Sequence, residues 1–480
     1  MYFRRLFCHI GISMNKKYHA IIYFAVATVA HAQELPSSQT IFFDEEPQIK
    51  PDLLLSQEEA ESIQVTTTMP TTENLESQIN FAIVSKDWNK LSDLLSEYKD
   101  TPSMDPILYN YGLGAFYRHN GLQAEAIKLY ESIIQQRPNL YYPRFDLAMM
   151  LYENKQFNEA QSHLEVVEPH LSSEIQMIVN KVLQDIKKSQ QWNYDVNLSY
   201  EKTDNVNQAS DLKELILGEA VFIRSEDSLP QKANGVRYSL NSSKDKNILG
   251  NHYVLANAEL AGIHYWDNSD YSEITPNASL GYRFKDIKQT LGITALVDKN
   301  FLGGEDYSTN YGGVLSYNRK LSNKLQASGN YSHIQKSYTE DDLAKNYDGH
   351  LNAASLLLFY QPKLKWLLYV GADAVYDRLE DKSESSDKKG FRAGAVFSGD
   401  KFIVRTNLRY SERDFLDNNY LYNTKRRDDE YQLSTSIGHK GLVWNGFSPK
   451  INYEFKKIDS NLPLYERNDS KVFIEINKSF

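Results

Sequence analysis

The side chains best able to do chemistry are scattered. His252, His264, His333, His350 and His439 carry imidazoles, the side chain most often used as a general base. A hydrolase can pair such a base with a carboxylate or a serine, but no spacing among these five builds that pairing. Two acidic runs, Glu340-Asp341-Asp342 and Asp428-Asp429-Glu430, can offer oxygens to calcium or stand as solvated faces. Lys425-Arg426-Arg427 can match the phosphates of a lipopolysaccharide, since a guanidinium fork fits phosphate oxygens; it can equally be a charged strand end. The chain has no Walker loop, no HExxH and no G-x-S-x-G, so the common phosphate, zinc and acyl-transfer machineries are missing. The only cysteine is Cys8, placed before the expected mature start, which excludes disulfides and thiolate metal sites from the exported chain. No catalytic residue, cofactor or metal is assigned.

The residues that carry information are therefore structural, and the second half of the chain organises them. From Ser470 to Phe480, Val472, Ile474, Ile476 and Phe480 recur on alternate positions, with Glu475, Asn477 and Ser479 between them and Lys478 interrupting the apolar row. A period of two sends one set to an apolar surround and the other to water. Trp192, Tyr194, Val196, Leu198 and Tyr200 alternate in the same way and open the region. Pairing the last strand with the first removes an open edge, so Trp192, Tyr194 and Phe480 are the expected closure residues. Further strands are predicted at about 234–245, 248–266, 271–285, 287–300, 306–319, 323–337, 346–361, 364–378, 388–399, 401–414, 425–440, 443–458 and 468–480. With the first, that makes about fourteen, an even number as in bacterial outer-membrane barrels. Tight turns alternate with longer polar links, and an even count leaves both barrel ends on the periplasmic side. The link 205–233 holds Leu212, Leu215, Ile216, Leu217, Val221, Phe222 and Ile223. It reads either as a plug or binding element, or as a two-strand extension above the membrane.

Composition agrees. The net charge is -10 and charged residues make up 24% of the chain, which argues against a nucleic-acid partner. The mean hydropathy of -0.55 is too polar for a helical membrane protein but suits a barrel whose strands are apolar on one face only. Tyr is abundant, at 33 residues, and favours both strands and the membrane–water interface.

Before the barrel the period changes to that of helices. Leu113-Gly114, Tyr117, Gly121, Ala126, Tyr130 and Pro138 fall at tetratricopeptide-repeat (TPR) spacings. Leu147-Ala148, Leu151, Ala160 and Leu164 follow about one period later, and Ile79, Ile83, Trp88 and Leu95 form a weaker earlier copy. A closing helix is expected from Ser173 to Lys188. The first helices of such repeats line a groove. Leu108, Tyr111, Ala115, Arg118, Tyr142, Phe145, Met149 and Tyr152 are the expected lining, able to hold an extended client or to pack against the barrel.

Upstream, Met14-Asn15-Lys16-Lys17, the apolar run Ala20 to Ala30 and Ala30-His31-Ala32 form a leader with cleavage before Gln33. Residues 33–72 are rich in Gln, Glu, Ser, Thr and Pro and read as a flexible linker. The expected organisation is a 1–32 signal peptide, a 33–72 linker, a 73–190 tetratricopeptide domain in the periplasm and a 191–480 β-barrel in the bacterial outer membrane. The fold class is multi-domain α+β, an α-helical arm followed by an antiparallel transmembrane barrel.

The order leader, arm, fourteen-strand barrel, together with the C-terminal segment, makes the pattern specific. Gly446-Phe447-Ser448-Pro449-Lys450-Ile451-Asn452-Tyr453, then Lys457-Ile458-Asp459-Ser460-Asn461-Leu462-Pro463, Tyr465-Glu466-Arg467 and Lys478-Ser479-Phe480, resembles the barrel terminus of the surface lipoprotein assembly modifier (Slam) family. The resemblance covers roughly residues 75–480. It implies an outer-membrane translocon of the type XI secretion class. Its clients would be surface lipoproteins or soluble secreted proteins that acquire haem or metal, often with a small β-barrel handle. The expected partners are such a client, outer-membrane lipid and lipopolysaccharide, the barrel assembly machinery and periplasmic chaperones. The long apolar link after the first strand departs from the pattern. Two other classes stay open at this stage: a polysaccharide-export barrel with a docking arm, and an outer-membrane hydrolase.

Overall fold

The computed structural model describes residues 74–217 and 219–479. The expected signal peptide, linker and closure residue Phe480 lie outside the described residues.

Seven helices form the arm: α1 (Leu75–Val84), α2 (Trp88–Lys99), α3 (Pro106–His119), α4 (Gln123–Gln136), α5 (Tyr141–Glu153), α6 (Phe157–Val167) and α7 (Ser173–Ser189). Their starts follow local chemistry. Asn74 accepts the Glu76 amide at 3.0 Å, Asp87 accepts that of Lys90 at 3.1 Å and Asp105 accepts that of Ile107 at 2.9 Å, each satisfying a donor that the first turn leaves open. Pro106 at the first helical turn lacks a donor to lose. The turns inside the helix pairs repeat in the backbone itself. Lys86 (φ 55°), Gly121 (φ 71°) and Lys155 (φ 64°) are all left-handed, one tetratricopeptide period apart. Only the middle one is glycine, so sequence reading found only that one.

Two apolar clusters hold the arm. Ile79, Leu91, Leu95 and Tyr98 join α1 to α2, with Leu108 and Leu113 of α3 against them. Ile133, Leu147, Leu151, Leu164 and Ile186 run through α4 to α7. Gly114 permits the α3–α4 approach: a Cβ there would lie 2.5 Å from the Tyr130 ring. Gly114→Val is therefore expected to destabilise the arm by about 1–3 kcal/mol through overpacking. This is read as an earlier loss of helical signal on heating the full chain; an unchanged melt would mean that α3 and α4 can separate freely.

Fourteen strands close into an antiparallel barrel in the order β1-β16-β15-β14-β13-β12-β11-β10-β9-β8-β7-β6-β5-β4. They are β1 (Asn193–Thr203), β4 (Ala233–Leu249), β5 (His252–Tyr265), β6 (Glu273–Lys285), β7 (Gln289–Leu302), β8 (Glu305–Ser322), β9 (Leu325–Tyr338), β10 (Gly349–Lys363), β11 (Trp366–Leu379), β12 (Ser386–Ser398), β13 (Phe402–Asn419), β14 (Thr424–His439), β15 (Ser448–Ser460) and β16 (Arg467–Ser479). The link after β1 forms a separate hairpin of β2 (Glu214–Leu217) and β3 (Ala220–Ile223), the two-strand alternative. Leu215 is buried in it and Ile216 is exposed. Asp341–Tyr347, expected partly as strand, forms a short helix, α8, beside β9.

Alternate residues face outward, and the outward set is apolar: Leu280, Ile293, Leu315, Leu356, Val370, Leu408, Ile451, Val472 and Ile474 are all exposed. So continuous an apolar belt suits lipid and not water. Exposed Trp192, Trp366, Phe402 and Trp444 mark its arm-side rim, while Tyr200, Trp266, Tyr376 and Tyr431 mark the other. Such aromatic girdles sit at membrane interfaces.

The inner wall is not uniformly polar, contrary to the expectation of one apolar face per strand. On β10 and β11, Leu357, Phe359, Leu367 and Tyr369 pack together inside, and the Tyr369 ring occupies the space over Gly394. The chain therefore reads Leu356-Leu357-Leu358-Phe359, apolar on both faces. The turn expected at Lys440-Gly441-Leu442 runs on to Phe447, because Asn445 (φ 49°) and Gly446 (φ 84°) make a tight reversal under the Trp444–Phe447 bridge. Asn-Gly in both left-handed positions is the preferred two-residue hairpin turn.

Candidate functional site

The arm face shared by α3 and α5 carries the expected groove residues, and most of them are already engaged. Tyr111 donates to Asp146 Oδ2 at 2.9 Å. Arg118 donates through Nε to Glu153 Oε2 at 3.2 Å and through Nη2 to Oε1. Gln123 donates to the same carboxylate at 3.1 Å. Both pairs span 35 residues, so each side chain of one repeat binds the residue next to its counterpart in the following repeat. Phe145, Met149 and Tyr152 pack against the larger arm core, Leu108 packs against the smaller one, and Ala115 is half-buried. Tyr142 alone of the eight is more than half exposed, at 55%. Asp146 and Glu153 escaped sequence reading, although shifting Tyr111 and Arg118 by one repeat lands beside them.

Burial raises the Asp146 carboxyl above its ordinary value, while the Tyr111 hydroxyl and the Arg118 charge pull it back. A carboxyl raised by folding contributes fully below its unfolded pKa, and that contribution fades as pH rises through the folded one. Removing the Tyr111 hydroxyl raises Asp146 further and enlarges the loss at neutral pH. Tyr111→Phe should therefore cost the arm about 1 kcal/mol at pH 7 and less under acid conditions that protonate Asp146 in both states. Thermal melts of the full chain at the two conditions test this; an equal loss at both would exclude Asp146 as the cause.

The arm is clamped to the barrel at the α5–α6 turn. The Asn158 amide donates to Asn247 Oδ1 at 2.9 Å, and the Asn158 side chain donates to the carbonyls of Asn247 and Ile248 at 3.1 and 2.9 Å. Gln156 donates to Asn251 Oδ1 at 2.9 Å, and the Gly250 amide donates to Glu159 at 2.6 Å. The Ile287 amide reaches Asn154 Oδ1 at 3.3 Å, and Tyr253 donates to the Lys155 carbonyl. Tyr152 stacks on Phe157 with ring centres 5.6 Å apart, and Phe157 meets Tyr253 edge-on at 6.1 Å. The β4–β5 and β6–β7 turns therefore share one end of the barrel with the arm.

Inside the wall, charges pair. Arg392 meets Asp373 and donates to Ser355 at 2.7 Å. Lys336 lies 2.8 Å from Asp377, and Lys388 and Arg413 reach Glu430 at 2.7 and 3.0 Å. Glu201 of β1 takes Arg237 of β4 at 2.9 Å and Lys471 of β16 at 3.3 Å, while Lys471 also reaches Glu454 of β15 at 3.1 Å. The acidic runs do not converge. Asp428 binds Arg426, Asp429 accepts from Tyr410 at 2.8 Å, and Asp342 pairs with Lys345 at 3.0 Å. Among the described residues no group of three His, Cys, Asp or Glu could hold a metal. The basic run is split as well. Arg426 is buried between Phe415 and Tyr465, 4.5 and 3.8 Å from their ring centres, leaving Lys425 and Arg427 exposed.

The seam closes through Asp195↔Ser479 to Tyr200↔Ile474. Tyr194 pairs with Ser242 of β4, and Trp192 stands under Lys244 Nζ at 5.7 Å. Both lie just ahead of the ladder to β16.

The surface lipoprotein assembly modifier family matches residues 192–480, and the N-terminal TPR repeats of that family match residues 62–164. The chain belongs to the surface lipoprotein assembly modifier family. Within that family, surface lipoprotein assembly modifier 1 of Haemophilus influenzae is 24% identical over 410 residues, 83% of this chain and 83% of that protein. The hemophilin secretion modulator of Acinetobacter baumannii is 23% identical over 434 residues, 85% of this chain and 86% of that one. Among solved structures, the outer membrane channel DcaP of Acinetobacter baumannii aligns with a TM-score of 0.36 at 10% identity, covering 60% of this chain and 96% of that one. By its family match and its closed barrel, this Slam-family chain is an outer-membrane β-barrel protein with a tetratricopeptide arm.

Proposed function

We propose that this chain is a translocon that passes a client protein across the outer membrane. The client is a surface lipoprotein or a soluble haem- or metal-binding protein. The observation that carries this reading is the family match over the whole barrel, joined to an arm clamped at one barrel end. Family relatives named for surface lipoprotein assembly and for hemophilin secretion support the same class of client, and names of this kind favour transport over catalysis. The arm lies in the periplasm on this reading, because both ends of an even-stranded barrel and its short turns share that side. Its α3–α5 face receives the client in an extended form, with Tyr142, Phe145, Met149 and Tyr152 as the apolar contacts. Without a nucleotide motif, direction comes from folding or binding of the client outside. Lipid and lipopolysaccharide surround the barrel, and the barrel assembly machinery and periplasmic chaperones are the expected helpers.

The test is to express candidate clients with and without this protein and to label the cell surface. Display that depends on the protein supports the reading; equal display without it overturns it. Deleting residues 73–188 should weaken display while leaving the barrel in the membrane. Display unchanged by that deletion would remove the arm from client reception.

A further inference from the structure

The β1–β16 junction differs from its neighbours in backbone, topology and polar chemistry. Its ladder is six residues long, from Asp195↔Ser479 to Tyr200↔Ile474. On the other side of β1 the ladder to β4 is eleven residues long, from Asn193↔Ser243 to Thr203↔Ala233. The β15–β16 ladder also has eleven, from Ser448↔Asn477 to Ile458↔Arg467. Both strands continue beyond the shared ladder, β1 to Thr203 and β16 back to Arg467, so the shortness reflects how the strands diverge.

Side chains take over where the ladder stops. Glu201, the next residue of β1, reaches Lys471 at 3.3 Å. Both side chains are largely buried, at 7% and 20% exposed, so the pair is shielded from salt. Beyond it the long outer link straps the same junction. Ser210 donates to the Pro463 carbonyl at 3.2 Å, and Arg467 donates to the Gln208 carbonyl at 3.2 Å.

Topology makes this junction separable. β1 and β16 are the first and last strands of the wall, so no turn joins them and parting them stretches no hairpin. The arm continues directly into β1 and is clamped to the β4–β5 and β6–β7 turns, all on the β4 side. The arm, β1 and β4–β7 can therefore move away from β16 as one body with the clamp intact.

We propose that the barrel opens laterally between β1 and β16, with Glu201–Lys471 as the latch and the 208–210 to 463–467 contacts as an outer strap. This deepens the translocon reading and rests on it for the client's route, though the opening itself does not need a client to be seen.

The sequence has one cysteine, Cys8, so an engineered pair stands alone in the mature chain. Leu198→Cys with Ile476→Cys, and Asn197→Cys with Asn477→Cys, join facing residues across the seam. Leu408→Cys with Leu433→Cys does the same across β13–β14. Oxidising either seam pair should reduce client display at least ten-fold, reductant should restore it, and the β13–β14 bond should leave it unchanged. Normal display with the seam bonded overturns the gate.

Hydrogen exchange of the full chain in nanodiscs, with no client, gives the independent arm. Those amides of 195–200 and 474–479 that point across the seam should exchange at least ten-fold faster than those of the β13–β14 ladder, and Lys471→Gln should speed them further. Seam amides as protected as β13–β14 overturn the gate whatever the client does. If wild-type protein displays no client, the translocon reading falls and exchange alone decides the gate.

Discussion

Asp373→Ala should cost the barrel about 3–5 kcal/mol, the usual penalty for removing one partner of a buried ion pair. Asp373 and Arg392 sit on adjacent strands of the inner wall with side chains 5% and 3% exposed. Ser355 supplies a neutral oxygen to the same guanidinium but no charge. Unfolding in urea from detergent, followed by loss of the folded-barrel gel mobility, measures the effect. The double substitution Asp373→Leu with Arg392→Met sharpens the test. It removes both charges at similar volume, so it should be close to neutral or stabilising. If the single and double variants lose the same stability, packing at this position matters and the charge pair does not.

Asn247→Ala is expected to free the arm from the barrel. Asn247 is fully buried and is the hub of the clamp. It accepts the Asn158 amide and donates to the Gly250 and His252 carbonyls at 2.8 and 3.1 Å. Alanine leaves these groups without that partner, and each buried one costs about 1–3 kcal/mol. The loss falls on the α6 end of the arm and on the β4–β5 turn together. Protease cleavage near Gln190-Gln191, where the arm enters β1, should become much faster, while barrel mobility on gels stays unchanged. Cleavage at the wild-type rate would mean that the remaining bonds through Asn154, Gln156, Asn158 and Glu159, with the Phe157–Tyr253 contact, suffice to hold the arm.

The strand periods and the tetratricopeptide spacing were legible because each is a local signal that repeats. Val472, Ile474 and Ile476 announce their outward face within five residues, and Gly114 and Tyr130 announce the helix pair. Features that depend on partners far along the chain were not legible. Asn158 looks like an ordinary turn residue until the β4–β5 turn, some ninety residues later, is placed against it, and Asn154 until the β6–β7 turn at Ile287 is. The Lys425-Arg426-Arg427 run read as one patch, yet strand alternation sends Arg426 inward and its neighbours outward. The groove set was only partly informative. It found Tyr111 and Arg118 but not the acids that occupy them, so it overstated the free surface of that face. The inner apolar cluster on β10 and β11 was hidden because Leu356-Leu357-Leu358-Phe359 gives no alternation.

The amide clamp has a bearing on protein engineering. Because the arm is keyed to two particular hairpin tips as well as tethered through Trp192, it is not an interchangeable module. A chimera that grafts a relative's helices onto this barrel at residue 190 should mis-seat, and one that also carries over residues 247–252 and 286–288 should regain its proper pose. Exchange of arms between relatives is then a matter of transplanting three separate stretches of chain together.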